Sequence, residues 1–202
     1  MIVTHIRACC LSPATGMVIG LLTLVGCSST ATSNGFSAPP SPTMLKTVTA
    51  QAITFSYPSN WSRTQWDQPS SFSYLVAAVS NAPLRAPCTH TANSWSCGQP
   101  VMNMKSGMVM VEWWENGFPT WTLDAQPGRP ATVRGFRAKI QDPANLKQVC
   151  SNIAGYSAMQ VLVERPQAAS NYFAFDACFK GPEIDGERVQ AMAILDSARF
   201  KS

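Results

Sequence analysis

The feature that most constrains this fold is a run at residues 172–179 that is apolar on both of its alternating faces. Successive side chains of a strand point to opposite sides of a sheet, so such a strand is covered on both and lies near the sheet's centre. Other segments read as its partners. Ile53, Phe55 and Tyr57 alternate with Thr54 and Ser56 ahead of Pro58, which predicts a half-buried strand ending at a turn. Residues 72–80, 107–114 and 158–164 have strand character, the second of these stopped by Asn116-Gly117. Residues 131–140 predict a hairpin turning at Arg134-Gly135, with Phe136, Ala138 and Ile140 on one side. A short helix or helical turn fits residues 144–149. Near the end of the chain, Asp185 is placed to cap a helix running to Phe200. Its buried stripe would be Val189, Met192 and Leu195 beside Ala191, Ile194 and Ala198. An apolar helix face needs a sheet to cover, so the expected class is α+β: an antiparallel sheet with a C-terminal helix packed on it.

The first 26 residues are of another kind. His5 and Arg7 open a polar start, Met17-Val18-Ile19-Gly20-Leu21-Leu22 is the apolar centre, and small residues follow, as in an export signal. Ser12, Pro13, Thr15 and Gly16 break the apolar run, leaving it shorter than the roughly 20 residues a membrane-spanning helix needs. The closing Leu24-Val25-Gly26-Cys27 resembles the lipobox of the bacterial lipoprotein signal family. That resemblance implies cleavage before Cys27, a diacylglycerol on its sulfur and a further acyl chain on its freed amine. One chain anchors marginally and two anchor stably, at about 0.8 kcal/mol per buried methylene. The expected location is therefore the cell membrane, lipid-anchored and facing the extracytoplasmic side, with no cofactor beyond the covalent lipid. Ser28 stands where an Asp would mark inner-membrane retention in two-membrane bacteria.

Residues 27–45 are rich in Ser, Thr and Pro and bury little apolar area, so they predict a flexible tether. Residues 46–202 then form a single extracytoplasmic domain, of ordinary size for one core. The net charge of +4 is scattered. Its densest stretch is Arg129, Arg134, Arg137 and Lys139; two of these flank the Arg134-Gly135 turn, and Arg137 and Lys139 alternate with Phe136, Ala138 and Ile140, which fits the outer face of a strand better than a nucleic-acid site. The expected partners are the membrane, through the anchor, and an envelope protein, lipid or glycan.

Cys9 and Cys10 leave with the signal and Cys27 is the lipidation site, so four cysteines remain. In an oxidising compartment they predict two disulfides, with three pairings open. Cys88–Cys97 and Cys150–Cys178 are preferred, the first closing a polar loop and the second tying a turn to an apolar strand. On the chain-entropy model each contributes roughly 3 to 4 kcal/mol. Cys88, His90 and Cys97 also offer three zinc ligands, but the spacing matches no common structural pattern and no fourth ligand is near in sequence. The expected metal content is none.

The opening Ile53-Thr54-Phe55-Ser56-Tyr57-Pro58-Ser59-Asn60-Trp61 and the closing Ala193-Ile194-Leu195-Asp196-Ser197-Ala198-Arg199-Phe200 resemble the first strand and last helix of PsbP-like domains. Pro87-Cys88, Cys97-Gly98, Gly117-Phe118-Pro119 and Gln126-Pro127-Gly128-Arg129 are similar to segments of bacterial lipoproteins. The first resemblance implies an antiparallel sheet sandwiched by helices and a noncatalytic accessory or binding domain. The Cys-bearing loop is not part of the common PsbP pattern.

For a binding surface the candidates are Trp95, Trp113, Trp114 and Trp121, as a stacking platform for glycans or a slot for acyl chains. Adjacent Trp113 and Trp114 point to opposite faces; both are packing residues if both faces are covered. A lipid or glycan carrier is the alternative to a scaffolding domain, and an envelope hydrolase is a second. The hydrolase has little to use. His90 is the one histidine after the signal, and Gly155-Tyr156-Ser157-Ala158-Met159 is half a nucleophile elbow without its second glycine. Glu112 and Glu115 fall on opposite faces of a straight strand. No phosphate-cradling loop, His-Glu-x-x-His or dinucleotide fingerprint is present.

Overall fold

A computed structural model describes residues 44–50, 52–67, 72–141, 150–165, 171–182 and 184–201. Cys27, the signal, the tether up to residue 43 and the helix expected at 144–149 lie outside the described residues. The described residues all fall within one compact unit. Leu45, assigned from sequence to the tether, instead opens the first strand, β1 (Leu45–Thr49), which pairs antiparallel with β2 (Ile53–Pro58). The pairing buries Val48 opposite Phe55, which is why the ordered domain begins before residue 46.

The larger sheet is antiparallel throughout. Its strands are β3 (Ser62–Thr64), β4 (Ser73–Ser80), β7 (Met108–Gly117), β8 (Arg129–Val133), β9 (Phe136–Ile140), β10 (Ser157–Glu164) and β11 (Asn171–Lys180). They run in the order β3-β4-β7-β11-β10-β9-β8, with the apolar strand β11 in the interior beside β7 and β10. Strand β7 does end at Asn116-Gly117, but with both residues inside it rather than beyond it. Both residues pair with β11, Asn116 opposite Tyr172 and Gly117 opposite Asn171. The hairpin between β8 and β9 turns where expected: Arg134 and Gly135 both have positive φ, 52° and 88°, as a two-residue turn matched to strand twist requires. A separate two-stranded hairpin joins β5 (Cys88–His90) to β6 (Trp95–Cys97).

Among the described residues one α-helix is present, α1 (Ile184–Ser197). Together with the sheet this makes the domain α+β. Asp185 sits inside the first turn and is not its cap. The stripe also differs from expectation, because Val189 is 69% exposed while Glu187, Ala191, Ile194 and Leu195 are buried. Val189 is two residues from both Glu187 and Ala191 and so lies on the opposite side of the turn. The helix stops short of Phe200. Ser197 Oγ donates to Ile194 O (2.7 Å) and accepts from Ser56 N–H (2.8 Å), fastening the last turn to β2. The chain then enters β12 (Arg199–Phe200), which pairs with β2 in a small sheet ordered β1-β2-β12.

The small sheet and α1 cover one face of the large sheet. Between them lies the main core, which includes Ile53, Phe55, Val111, Trp113, Val161, Phe173, Phe175, Phe179, Ile194 and Leu195. The opposite face carries two smaller apolar clusters. One gathers Val101, Met104, Met108, Met110, Cys150, Ile153, Ala158 and Cys178; the other gathers Trp121, Leu123, Leu162 and Ala174. Two disulfides are formed, Cys88–Cys97 within the hairpin and Cys150–Cys178 within the first of these clusters.

Candidate functional site

Strand alternation sets what faces away from the helix. On β7 the residues are Met110, Glu112, Trp114 and Asn116, and on β11 they are Tyr172, Ala174, Asp176 and Cys178. Register then decides which of them meet. Glu112 stands directly opposite Asp176, and Asp176 directly opposite Gln160 on β10. Three polar side chains from three strands thus form a row across the sheet, between the two apolar clusters. The next row but one is Ser73, Asn116 and Tyr172.

Beside these rows is a cleft of about 340 Å³, lined by Ser73, Trp114, Asn116, Gln160, Tyr172 and Asp176 among others. A larger groove of about 640 Å³, lined by residues that include Arg63, Gln65, Phe72 and Glu115, opens towards the other face of the sheet, since Glu115 points away from Trp114 and Asn116. Ser73 and Asn116 line both, and Ser73 Oγ donates to Asn116 Oδ1 at 2.5 Å. Aromatic rings stand at both hollows. Phe72 stacks on Phe118 at 5.8 Å, Tyr172 stacks on Trp121 at 4.1 Å, and Trp66 meets Trp114 edge-on at 5.0 Å.

The electrostatics of the row are unusual. Burial, and secondly the charge of Asp176, push the Glu112 carboxyl up to about 8, against a hydrogen bond from Trp114 Nε1 (3.3 Å) that acts the other way. Burial pushes Asp176 up to about 6, opposed by the bond that Gln160 Nε2 donates to its Oδ1 (2.7 Å). Burial and then Asp176 also raise the Tyr172 phenol. Glu112 Oε1 is buried with no hydrogen-bond partner. Burial and the neighbouring charge of Asp176 both disfavour ionising Glu112, so its carboxyl keeps its proton at neutral pH.

The four candidate tryptophans do not form one surface. Trp113 is fully buried in the main core, packed against Phe55, Phe175 and Phe200. Trp121 is 8% exposed, behind Tyr172. Trp95 is 41% exposed but stands on the β5–β6 hairpin, opposite His90. Of the four, Trp114 lines the cleft. The reason is that both faces of the large sheet are largely covered, so Trp113 and Trp121 pack, and Trp114 reaches a hollow only where the cover leaves one. Glu112 and Glu115 do fall on opposite faces; Glu115 pairs with Arg165. The partner of Glu112 is Asp176, which sequence distance concealed. One signal for it was legible, a lone Asp within an otherwise apolar central strand.

Other sequence candidates have local employment. Ser157 begins β10 and accepts from Arg188 (3.0 Å), so it stands on a strand and not on the strand-to-helix turn a nucleophile elbow needs. His90 Nε2 lies 2.5 Å from Asp67 Oδ2. Arg137 pairs with Asp124 and Glu164, and Lys139 donates to the carbonyls of Asp124 and Gln126. These basic side chains hold the loop after β7 against the sheet. Set against family models, curated proteins and solved structures, the chain matches none.

Proposed function

We propose that this protein is a lipid-anchored, noncatalytic binding domain on the extracytoplasmic side of the cell membrane, and that it holds a neutral, hydroxyl-rich ligand of glycan type in the smaller cleft. The observation that carries the ligand class is the lining of the smaller cleft. Hydroxyl, amide and carboxyl groups of Ser73, Asn116, Gln160, Tyr172 and Asp176 stand beside the indole of Trp114. Hydroxyls need such two-way hydrogen-bond partners, and the apolar faces of sugar rings suit aromatic neighbours. An acyl chain would leave these polar groups desolvated and unpaired, at a cost of about 1 to 3 kcal/mol each. Glu112 is 5% exposed and is not among the residues that line the cleft, which supports binding over acid-base chemistry by this carboxyl.

Anchoring rests on Leu24-Val25-Gly26-Cys27. No helix among the described residues is long and apolar enough to cross a membrane. In the same reading the domain is a PsbP-like sandwich, supported by the strand Ile53–Pro58 followed by Trp61 at one end and α1 at the other.

Two measurements test the proposal. A Cys27→Ala variant is expected to leave the membrane fraction, and intact-mass analysis of the wild type to show acyl mass on Cys27. Retention of the variant as firmly as wild type would end the anchoring reading. For the ligand, cellohexaose and chitohexaose are titrated against the protein with tryptophan emission and calorimetry as readouts. Saturable binding is expected, weakened about tenfold in Asn116→Ala and in Gln160→Ala. Absence of binding to either sugar, or binding that ignores both substitutions, would overturn the glycan assignment.

A further inference from the structure

The two disulfides sit in different surroundings. Cys150 and Cys178 are 3% and 1% exposed, inside an apolar cluster. Cys88 and Cys97 are only partly buried, on a hairpin whose other side chains are largely open to solvent. Accessible disulfides are the ones thiols attack, because exchange proceeds by in-line approach of a thiolate to one of the sulfurs.

Around the accessible pair the fold gathers further donors. The sulfurs of Cys88 and Cys97 and a carboxylate oxygen of Asp67 all lie within 4.8 Å of one another. His90 shares its side of β5 with Cys88, two residues away, and its Nε2 is 2.5 Å from Asp67 Oδ2. Sequence spacing offered three ligands and no fourth; Asp67, beyond the end of β3, is the fourth. We propose that reduction of Cys88–Cys97 converts this hairpin into a zinc site, with two thiolates, the Asp67 carboxylate and the His90 imidazole as its four ligands.

The donor set suits the ion. Zinc takes sulfur, imidazole nitrogen and carboxylate oxygen in a tetrahedron, at about 2.0 to 2.3 Å, so its ligand atoms lie about 3 to 4 Å apart. The two sulfurs and the Asp67 carboxylate lie within 4.8 Å of one another, and His90 joins them through its contact with Asp67, so binding draws the imidazole in by a rotation of its exposed side chain. The sulfurs separate when their bond breaks, and Asp67 and His90, both half exposed, have room to turn. The hairpin keeps its register without the disulfide. Its strands pair at three positions, Thr91 N–H donates to Ser94 O (2.8 Å), and Gly98 N–H donates to Pro87 O (2.8 Å).

The chemistry balances with a dithiol as reductant. One of its thiolates attacks a cystine sulfur, its second thiol resolves the mixed disulfide, and the dithiol leaves as its own disulfide with both electrons transferred to Cys88 and Cys97. Zinc binding then releases the two thiol protons. Oxidation expels the metal by the reverse path. Trp66 is next to Asp67 in sequence and packs on Trp114 of the cleft, so indole emission should report the switch.

The test uses the full-length protein in detergent, reduced with a phosphine, which competes weakly for the metal, and titrated with zinc against a chromogenic chelator. One zinc per chain is expected after reduction and none before it. Bound zinc is expected to shield Cys88 and Cys97 from iodoacetamide while Cys150–Cys178 stays oxidised. Asp67→Asn and His90→Ala, both at exposed positions, should each weaken binding by about tenfold or more. Reduced wild type that binds zinc no better than Cys88→Ser/Cys97→Ser would overturn the proposal. So would affinity unchanged in both ligand variants, since two free thiols would then account for it.

Discussion

Replacing Glu112 by Gln is expected to stabilise the protein above pH 8 and to flatten the dependence of its melting temperature on pH. In the folded wild type, burial holds the Glu112 carboxyl at about 8 against an ordinary 4.5, and Asp176 at about 6 against 3.8. Between those limits the native state binds more protons than the unfolded chain, so stability falls as pH rises. The loss is absent below about pH 4, grows through neutrality and is complete once Glu112 ionises above about pH 8. At roughly 1.4 kcal/mol per pKa unit, the Glu112 displacement alone corresponds to several kcal/mol. For a domain of this size that is a change in melting temperature of order 10 °C. An amide at position 112 keeps an acceptor for Trp114 Nε1 and removes the charge that would otherwise appear beside Asp176. Calorimetric scans from pH 4.5 to 9 would check this. A wild-type profile that is flat across the range, or an equally steep Glu112→Gln profile, would refute the account of a buried, protonated Glu112.

The second large effect is at Trp113. Its ring is enclosed by Phe55, Phe175 and Phe200 with centroids 6.1, 4.9 and 5.9 Å away, and it has no solvent exposure. Trp113→Ala removes that contact and leaves a cavity the β-sheet cannot collapse, at a cost of about 3 to 5 kcal/mol. Against a typical total of about 5 to 15 kcal/mol, much of the folded population is then at risk. Trp113→Phe should be far milder. The indole N–H has no hydrogen-bond partner, so substitution removes a buried donor that brings no bond of its own. Urea titrations followed by far-ultraviolet circular dichroism separate the two cases. A Trp113→Ala midpoint close to wild type, with unchanged slope, would mean that this ring is not a keystone of the core.

The pair at 113 and 114 shows where sequence reading stops. Alternation correctly puts the two rings on opposite faces, but says nothing of what lies over each face. Here α1 and the small sheet cover one side, and loops holding Trp121, Leu123, Val101 and Met104 cover the other. Val189 shows the same limit on the helix, where an apolar residue two positions out of phase with the buried set stays in solvent. Likewise the chain order could not show that Phe200 would leave the helix, pair with Ile53 and pack on Phe173 at 5.2 Å.

What the amino-acid order determined by itself was local. Period-two apolar runs named most strands, Arg134-Gly135 marked a turn, the polar spacing around the cysteines favoured the pairing found, and an apolar C-terminal stripe required a sheet to cover, hence α+β. Register and coverage belong to the tertiary structure alone. Glu112, Gln160 and Asp176 come from three strands, and Asp67 meets His90 and the cystine only across the edge of the sheet. Local propensity depends on neighbours a few residues apart, which the chain displays. Contacts between distant segments depend on which pairing buries the most apolar surface with its polar groups satisfied, and that is settled only when every strand competes for its place at once.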